Sequence, residues 1–271
     1  MWGSAGVFVR VLSEWGMDSI TIVFTRVSIA ALMMLVLILI LDRGMLRFDR
    51  SDLWIFILCA VSMLGLNAFY TVSVDNLSLS MAAVLLSLSP AFMLVMARLI
   101  FGERITSRKL VCMVTSIAGC VMVSGVLESG GSISPYGVLS GLAAAFFYAL
   151  YGIISKRGAA EGYSIYTILF YCTLISSIIL VPFVDLESMT VFASEGAGHL
   201  GFLLLHAALA SFLPYILYTI SIARGEAGTS SILAACGEPV AATFFGLLFF
   251  SETLSPLMIL GMAVAVISMA I

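Results

Sequence analysis

Charged residues are scarce in this sequence: Asp, Glu, Lys and Arg make up only 10% of its 271 residues. Hydrophobic residues make up 62%, and the mean hydropathy is +1.19. A soluble protein needs far more polar surface, so the composition predicts a polytopic membrane protein whose surroundings are the lipid bilayer. The sequence also lacks a large basic patch and has a net charge of −3, which excludes nucleic acid as an expected partner.

Residues that support common enzyme and metal chemistry are also few. The two histidines, His199 and His206, form no H-E-x-x-H pattern and have no neighbouring carboxylate pair. No G-x-x-x-x-G-K-[ST] or G-x-S-x-G pattern occurs, so neither an ATP-driven motor nor a hydrolase of that type is indicated. All five cysteines fall in apolar segments, where small core residues are expected. We therefore expect no enzymatic activity, no metal and no cofactor.

Long apolar segments fill the rest of the chain and favour helices over the alternating strands of a barrel. The ten predicted spans are 1–13, 20–41, 53–73, 79–101, 108–127, 137–154, 165–183, 200–221, 229–250 and 257–271. A helix needs roughly 20 apolar residues to cross about 30 Å of hydrocarbon. Because the first and last spans are shorter, we expect the sequence to begin inside its first membrane helix.

The segments that end the two halves of the chain repeat each other. Pro90 precedes Glu103 by the same distance along the sequence as Pro239 precedes Glu252. Five spans per half is an odd number, so the two halves must cross the membrane in opposite orientations. The sequence thus predicts an all-α protein with two inverted five-helix repeats, residues 1–127 and 137–271. Inverted repeats of this kind recur in transporters, because exchanging the two repeat conformations exposes one site to alternate sides.

Lysine and arginine are distributed asymmetrically among the predicted loops, and cytoplasmic loops usually carry the excess. With both chain ends cytoplasmic, the loops on the outer side contain no Lys or Arg. Those on the inner side contain Arg43, Arg47, Arg50, Arg104, Arg108, Lys109, Lys156, Arg157 and Arg224. The basic loop after the fourth span corresponds to an acidic one after the ninth, as inversion requires.

Several short motifs occur in a fixed order along the whole chain. They are Trp2-Gly3-Ser4, Phe24-Thr25-Arg26, Pro90 with Glu103-Arg104-Ile105-Thr106, Glu238-Pro239, and Glu252-Thr253-Leu254-Ser255. Together they resemble the EamA family of the drug/metabolite transporter superfamily. The resemblance implies a ten-helix inner-membrane carrier, in a family where many members export amino acids and other small metabolites.

Glu238 is the principal candidate for binding or coupling. It lies near the middle of the predicted span 229–250, where a carboxylate costs about 3 kcal/mol or more unless it faces a cavity, is paired or is protonated. Pro239 removes a backbone donor and leaves the Ala235 carbonyl free, so Glu238 is placed to exchange a proton or to receive an amine. The alternative is a protonated carboxyl that caps a neighbouring helix break. Pro90 and Pro214 are predicted to interrupt two other spans in the same way.

Two further polar residues lie inside predicted spans. Arg26 is an alternative substrate-binding group that attracts a carboxylate, or it pairs with Asp18 or Glu14 at the outer rim. Asn67 either lines a pocket or makes an interhelical hydrogen bond.

Aromatic residues provide the remaining pocket candidates, which are Trp2, Tyr148 and Tyr151. The spacing of the two tyrosines puts them on one helix face, where they suit flat or cationic substrates. Tyr70 and Tyr218 are interpreted instead as residues of the interfacial aromatic belt. Glu103 and Glu252 are expected to be structural, because each follows a span and is placed to accept hydrogen bonds at a helix N-terminus.

The sequence therefore favours a secondary exporter of a small, amino acid-like metabolite, acting as a monomer or a homodimer, with a proton as the candidate coupling ion. An importer or lipid-linked translocator of the same fold, and a non-transporting membrane scaffold subunit, are the alternatives.

Overall fold

The protein is built from α-helices. The computed structural model describes the backbone of residues 5–77, 79–123, 134–185, 189, 192, 196–250 and 255–270. Within helices, the side chains of residues 5, 6, 10, 79, 80, 236, 238–243, 245–247, 249, 250, 269 and 270 are not described. No strand occurs in the part of the chain that is described.

Six α-helical segments lie among the described residues of the first half of the chain. They are α1 (Ala5–Glu14), α2 (Ser19–Leu41), α3 (Leu53–Asn76), α4 (Leu79–Leu86), α5 (Ser89–Phe101) and α6 (Ser107–Val123). The second half contains α7 (Pro135–Ala160), α8 (Ile165–Leu180), α9 (Ala197–Ala207), α10 (Leu213–Arg224), α11 (Ala227–Phe250) and α12 (Pro256–Ala270). A π-helical turn, Ala208–Phe212, joins α9 to α10. Short 3₁₀ turns lie at Arg43–Leu46, Arg50–Asp52 and Val181–Phe183.

Six helical segments among the described residues are long and apolar enough to cross a membrane. They are Ser19–Leu41, Arg50–Asn76, Met81–Phe101, Pro135–Ala160, Ile165–Phe183 and Ala197–Arg224, and Pro256–Ser268 is a shorter apolar helix. The prediction of an all-helical, multi-pass membrane protein is therefore confirmed. Large apolar side chains face outward from these helices, as a lipid environment requires; Leu99 is 79% exposed and Ile40 is 74% exposed.

Several helices begin at residues whose side chains satisfy free backbone N–H groups. The Asp18 carboxylate accepts from the N–H groups of Ile20 and Thr21 at 3.0 and 3.2 Å, which fixes the start of α2. Ser134 caps α7 in the same way, and Pro135 occupies its first turn, where no N–H is needed. Gly102 ends α5 in a left-handed conformation with φ +67°, which glycine adopts without steric cost.

Helix α7 lies at the centre of the structure. It packs most extensively on α3 and also contacts α4, α5, α8 and α10. Helices α6 and α12 form a second close pair, in which Gly119 faces Gly261. A Cβ at Gly119 would lie 2.9 Å from the backbone nitrogen of Ala265, so this approach requires glycine.

The loops and turns that connect the helices lie at the two ends of the bundle, where side-chain contacts hold them together. At one end, which we call the basic end, Tyr163 donates to the Asp52 carboxylate at 2.6 Å and accepts from the backbone N–H of Asp49 at 3.1 Å. The loop after α5 and the turn before α11 meet at this end too, as described below. At the opposite end, the acidic end, Trp15 packs on His199 with ring centroids 4.5 Å apart.

Candidate functional site

A first polar cluster lies inside the bundle near the acidic end. Arg26 is located seven residues into α2, about 10 Å from its start. Its Nη2 donates to the Asn67 side-chain oxygen on α3 at 2.9 Å, and the Asn67 amide nitrogen donates to the Met63 carbonyl at 2.8 Å. Asn67 therefore makes an interhelical hydrogen bond that holds the Arg26 guanidinium.

The rim pair considered for Arg26 is not formed with Asp18, because that carboxylate caps α2 instead. No described carboxylate lies within 4.0 Å of the guanidinium. The Nε of Arg26 is buried and has no hydrogen-bond partner in the described part of the chain. Arg26 thus holds a membrane-embedded positive charge that its described surroundings leave uncompensated.

His206 on α9 completes this cluster, although its sequence environment suggested no role. Its side chain is fully buried and stacks on the Phe8 ring of α1, with centroids 5.4 Å apart. Neither ring nitrogen has a hydrogen-bond partner among the described residues. The helix that carries His206, α9, packs on α2, which carries Arg26, and the ring nitrogens of His206 and the Nε of Arg26 are all buried. We call Arg26, Asn67 and His206 the Arg26 cluster.

Pro214 follows His206 in the sequence and changes the geometry of the helical turn that precedes it. Because proline cannot donate a backbone hydrogen bond, the preceding turn Ala208–Phe212 widens into a π-helix. The π-turn packs against α2, the helix that carries Arg26. Ser211 within it is buried, and its hydroxyl has no hydrogen-bond partner in the described part of the protein.

Four tyrosine rings form a buried cluster beside the Arg26 cluster. Tyr148 stacks on Tyr218 at 5.4 Å, and Tyr151 meets Tyr215 edge to face at 5.4 Å. The Tyr151 hydroxyl lies 3.1 Å from the Thr219 hydroxyl. Tyr148 and Tyr151 are thus placed together, as their spacing predicted. The belt interpretation of Tyr218 is wrong, because that residue is buried in the bundle rather than exposed at its edge.

A second polar cluster lies at the basic end and is built around Glu103, in the loop after α5. Lys156 at the end of α7 donates to its carboxylate at 2.7 Å. The same carboxylate accepts from the backbone N–H groups of Ala227 and Gly228, the first residues of α11, at 2.9 and 3.5 Å. Glu103 does complement a helix N-terminus, but the helix belongs to the other half of the chain.

Two lysines near Glu103 make additional contacts with neighbouring loops. Lys156 also donates to the Gly225 carbonyl at 2.7 Å. Lys109 on α6 pairs with Glu226 at 2.8 Å and donates to the Arg104 carbonyl at 3.0 Å. We call Glu103, Lys109, Lys156 and Glu226 the Glu103 cluster. It joins α5 and α6 in the first half of the chain to α7 and α11 in the second half.

The electrostatics of Glu103 follow from these contacts. Partial burial alone would raise the pKa of its carboxyl, but the hydrogen bond from Lys156, the backbone donors of α11 and the lysine charge together hold the pKa below its ordinary value. The Glu103 carboxylate is therefore ionised at neutral pH and accepts charge-assisted hydrogen bonds.

The predicted helix interruption near Pro90 coincides with the gap between α4 and α5 at residues 87–88. The Ser89 hydroxyl next to it is buried and has no hydrogen-bond partner among the described residues.

Near Pro239, by contrast, α11 is continuous. The Ala235 carbonyl, which Pro239 cannot engage, accepts a hydrogen bond from the Cys120 thiol on α6 at 3.8 Å. The side chains of Glu238 and Pro239, and all of Trp2 and Glu252, lie outside the described residues.

No group of three or more His, Cys, Asp or Glu side chains that could hold a metal ion occurs among the described residues. The polar groups inside the bundle are instead single side chains contributed by different helices. The fold and these clusters define a multi-pass α-helical membrane protein.

Comparison with known proteins agrees with this class. The EamA-like transporter family matches residues 1–125 and 135–271, so the chain belongs to the EamA-like transporter family, within the drug/metabolite transporter superfamily. A protein of solved crystal structure shares the fold, with a TM-score of 0.81 and 16% sequence identity over 99% of this chain and 91% of that one. At this identity the likeness shows the fold alone. No curated protein matches the chain.

Proposed function

We propose that this protein is a secondary transporter of the inner membrane that exports a small, amino acid-like metabolite by alternating access. Its two halves, residues 1–127 and 137–271, would act as inverted five-helix repeats that move against each other. The observation that carries the proposal is the Glu103 cluster, in which the Glu103 carboxylate binds Lys156 and the N-terminus of α11 across the two halves.

The distribution of Lys and Arg among the loops indicates how the protein is oriented in the membrane. The basic end carries the Lys- and Arg-rich loops and is therefore assigned to the cytoplasm, together with both chain ends. The Glu103 cluster then closes the protein toward the cytoplasm in this conformation. The Arg26 cluster lies nearer the opposite side, about 10 to 14 Å from the helix ends there.

The Glu103 cluster is suited to repeated opening and closing. Its bonds are polar, and one member of each ion pair is partly accessible to water. The Lys109–Glu226 pair, in which Glu226 is 55% exposed, contributes only about 0 to 1 kcal/mol, so a modest gain in substrate-binding energy can shift the equilibrium between the closed and open states at that contact. A large apolar interface at the same place would resist separation.

Glu238 is the proposed coupling group. Its position midway along α11 makes it the acid that would exchange a proton for substrate or bind a substrate amine. Pro239 beside it cannot donate to the Ala235 carbonyl, which accepts a hydrogen bond from the Cys120 thiol instead.

The proposal is tested with purified protein in proteoliposomes. Vesicles preloaded with one unlabelled metabolite at a time are diluted into buffer with the same labelled compound, and uptake of label by counterflow is measured. We expect counterflow of at least one small metabolite without ATP. Net uptake into cells in place of efflux would favour an importer, and absence of counterflow for every metabolite tested would favour a membrane scaffold.

A further inference from the structure

The Arg26 cluster contains more hydrogen-bond donors than its described surroundings satisfy. Arg26 uses Nη2 on Asn67, but its Nε has no partner. Both ring nitrogens of His206 are also without a partner in the part of the chain that the structure describes. Each buried polar group that stays unsatisfied costs about 1–3 kcal/mol, so the cluster is suited to receive an acceptor from outside the protein.

The geometry brings these groups together from both halves of the chain. Arg26 comes from α2 and His206 from α9, and α9 packs on α2. The Phe8 ring covers His206 by stacking, while Asn67 fixes one arm of the guanidinium. Asn67 is therefore a positioning residue, and the remaining N–H groups of Arg26 and His206 are the ones left for a ligand.

The positive charge of the Arg26 cluster indicates which class of ligand it is suited to bind. Arg26 contributes one permanent positive charge, and no described carboxylate neutralises it. A ligand with a single negative charge and two acceptor oxygens would neutralise this charge and satisfy donors on both residues. A doubly charged phosphate would bring one more negative charge than Arg26 compensates.

We propose that Arg26 and His206 form the subsite for the carboxylate of a small substrate. The Arg26 Nε–H would donate to one carboxylate oxygen and a ring N–H of His206 to the other. This inference rests on the proposed transport function and names its substrate class.

The test measures ligand binding separately from transport. The unfolding temperature of the purified protein in lipid nanodiscs is measured in the presence of each common L-amino acid and of L-lactate. Each acid is compared with its own primary amide. The amide keeps the size of the acid and removes the negative charge of its carboxylate. We expect at least one acid to raise the unfolding temperature while its amide does not.

The variants Arg26→Gln and His206→Phe should each weaken the apparent affinity for that acid at least tenfold. Gln retains a donor toward Asn67, and Phe retains the stack on Phe8. The matched controls are Arg98→Gln, which removes an arginine from the exposed end of α5, and His199→Phe, which replaces the histidine that packs on Trp15. Both controls should bind the acid as the parent does.

Four results would overturn the proposal: equal protection by acid and amide, protection by inorganic phosphate but by no carboxylate, protection by none of the acids, or unchanged affinity in Arg26→Gln. If Arg26→Gln does not fold, the affinity of Arg26→Lys for the acid is measured instead, because lysine keeps the positive charge and lacks the Nε donor. Parent-like affinity in Arg26→Lys would then contradict the proposal, and at least tenfold weaker binding would support it.

Counterflow separates this inference from the transport proposal. If an acid binds in an Arg26-dependent way and is not exchanged across the membrane, the subsite stands and the transport function fails. If a metabolite is exchanged equally well by the parent and by Arg26→Gln, transport stands and the carboxylate subsite is wrong.

Discussion

Lys156 and Glu103 form an ion pair of 2.7 Å although 53 residues separate them in the sequence. Both side chains also contact the start of α11. Glu103 accepts a hydrogen bond from the Ala227 N–H, and Lys156 donates to the Gly225 carbonyl in the turn before that helix. The pair therefore ties the ends of three helices together at the basic end. This contact makes the basic end the expected position of a gate.

Glu103→Gln should weaken this contact and change how stability depends on pH. Because the folded state holds the pKa of Glu103 below its ordinary value of 4.5, the ionised carboxylate stabilises the fold. That stabilisation is complete above about pH 4.5 and is lost as the pH falls through the lowered pKa. We expect thermal unfolding in nanodiscs to show a smaller acid-induced loss of stability in Glu103→Gln than in the parent.

The control for this measurement is Glu161→Gln. Glu161 forms an exposed pair with Arg157 on the same helical turn, and such pairs contribute only about 0.3–0.5 kcal/mol. An acid profile in Glu103→Gln identical to that of the parent would mean that the cluster contributes nothing to folding.

The orientation of the loops can be measured by accessibility of introduced cysteines in a cysteine-free background. Impermeant thiol reagents should label positions within 42–52 and 102–109 from the cytoplasmic side. Positions within 184–199 and 251–255 should label from the opposite side. If the 102–109 and 251–255 loops label from the same side, the two halves are not inverted.

Glu238→Gln tests the coupling group, because Gln keeps the size and hydrogen bonding of Glu and removes its ionisation. If Glu238 exchanges a proton, net transport by the variant should lose its pH dependence while substrate exchange continues. If Glu238 binds an amine, affinity should fall at every pH and exchange should fail too. Transport equal to that of the parent across the pH range would make Glu238 structural.

The close contact of α6 and α12 predicts that Gly119→Ala is destabilising. The new methyl group would lie 2.9 Å from the Ala265 backbone nitrogen, so the helices must move apart, at a cost of about 1–3 kcal/mol. Gly198→Ala is the matched control, because no atom lies within 4 Å of a Cβ there and alanine favours the helix. Thermal unfolding of both variants checks the difference. Equal unfolding temperatures would show that this helix contact tolerates a side chain.

The sequence predicted the helices better than the contacts between them. Long apolar runs locate helices because that signal is local. Glu103 was predicted to complement a helix N-terminus, yet its partner is α11, more than 120 residues away. His206 was considered only for metal and catalytic chemistry, because its relation to Arg26 depends on how α9 packs against α2. The one signal available was a histidine well inside an apolar segment.

The most direct test of the account is to lock the basic end and measure counterflow. Lys109→Cys and Glu226→Cys are combined in a cysteine-free background, since the native side chains meet at 2.8 Å, and are joined by a short bifunctional thiol reagent that forms a disulfide with each cysteine. The single-cysteine variants treated with the same reagent are the controls. Alternating access predicts that cross-linking abolishes counterflow and that reduction restores it. Counterflow at the uncross-linked rate in the fully cross-linked protein would contradict the account.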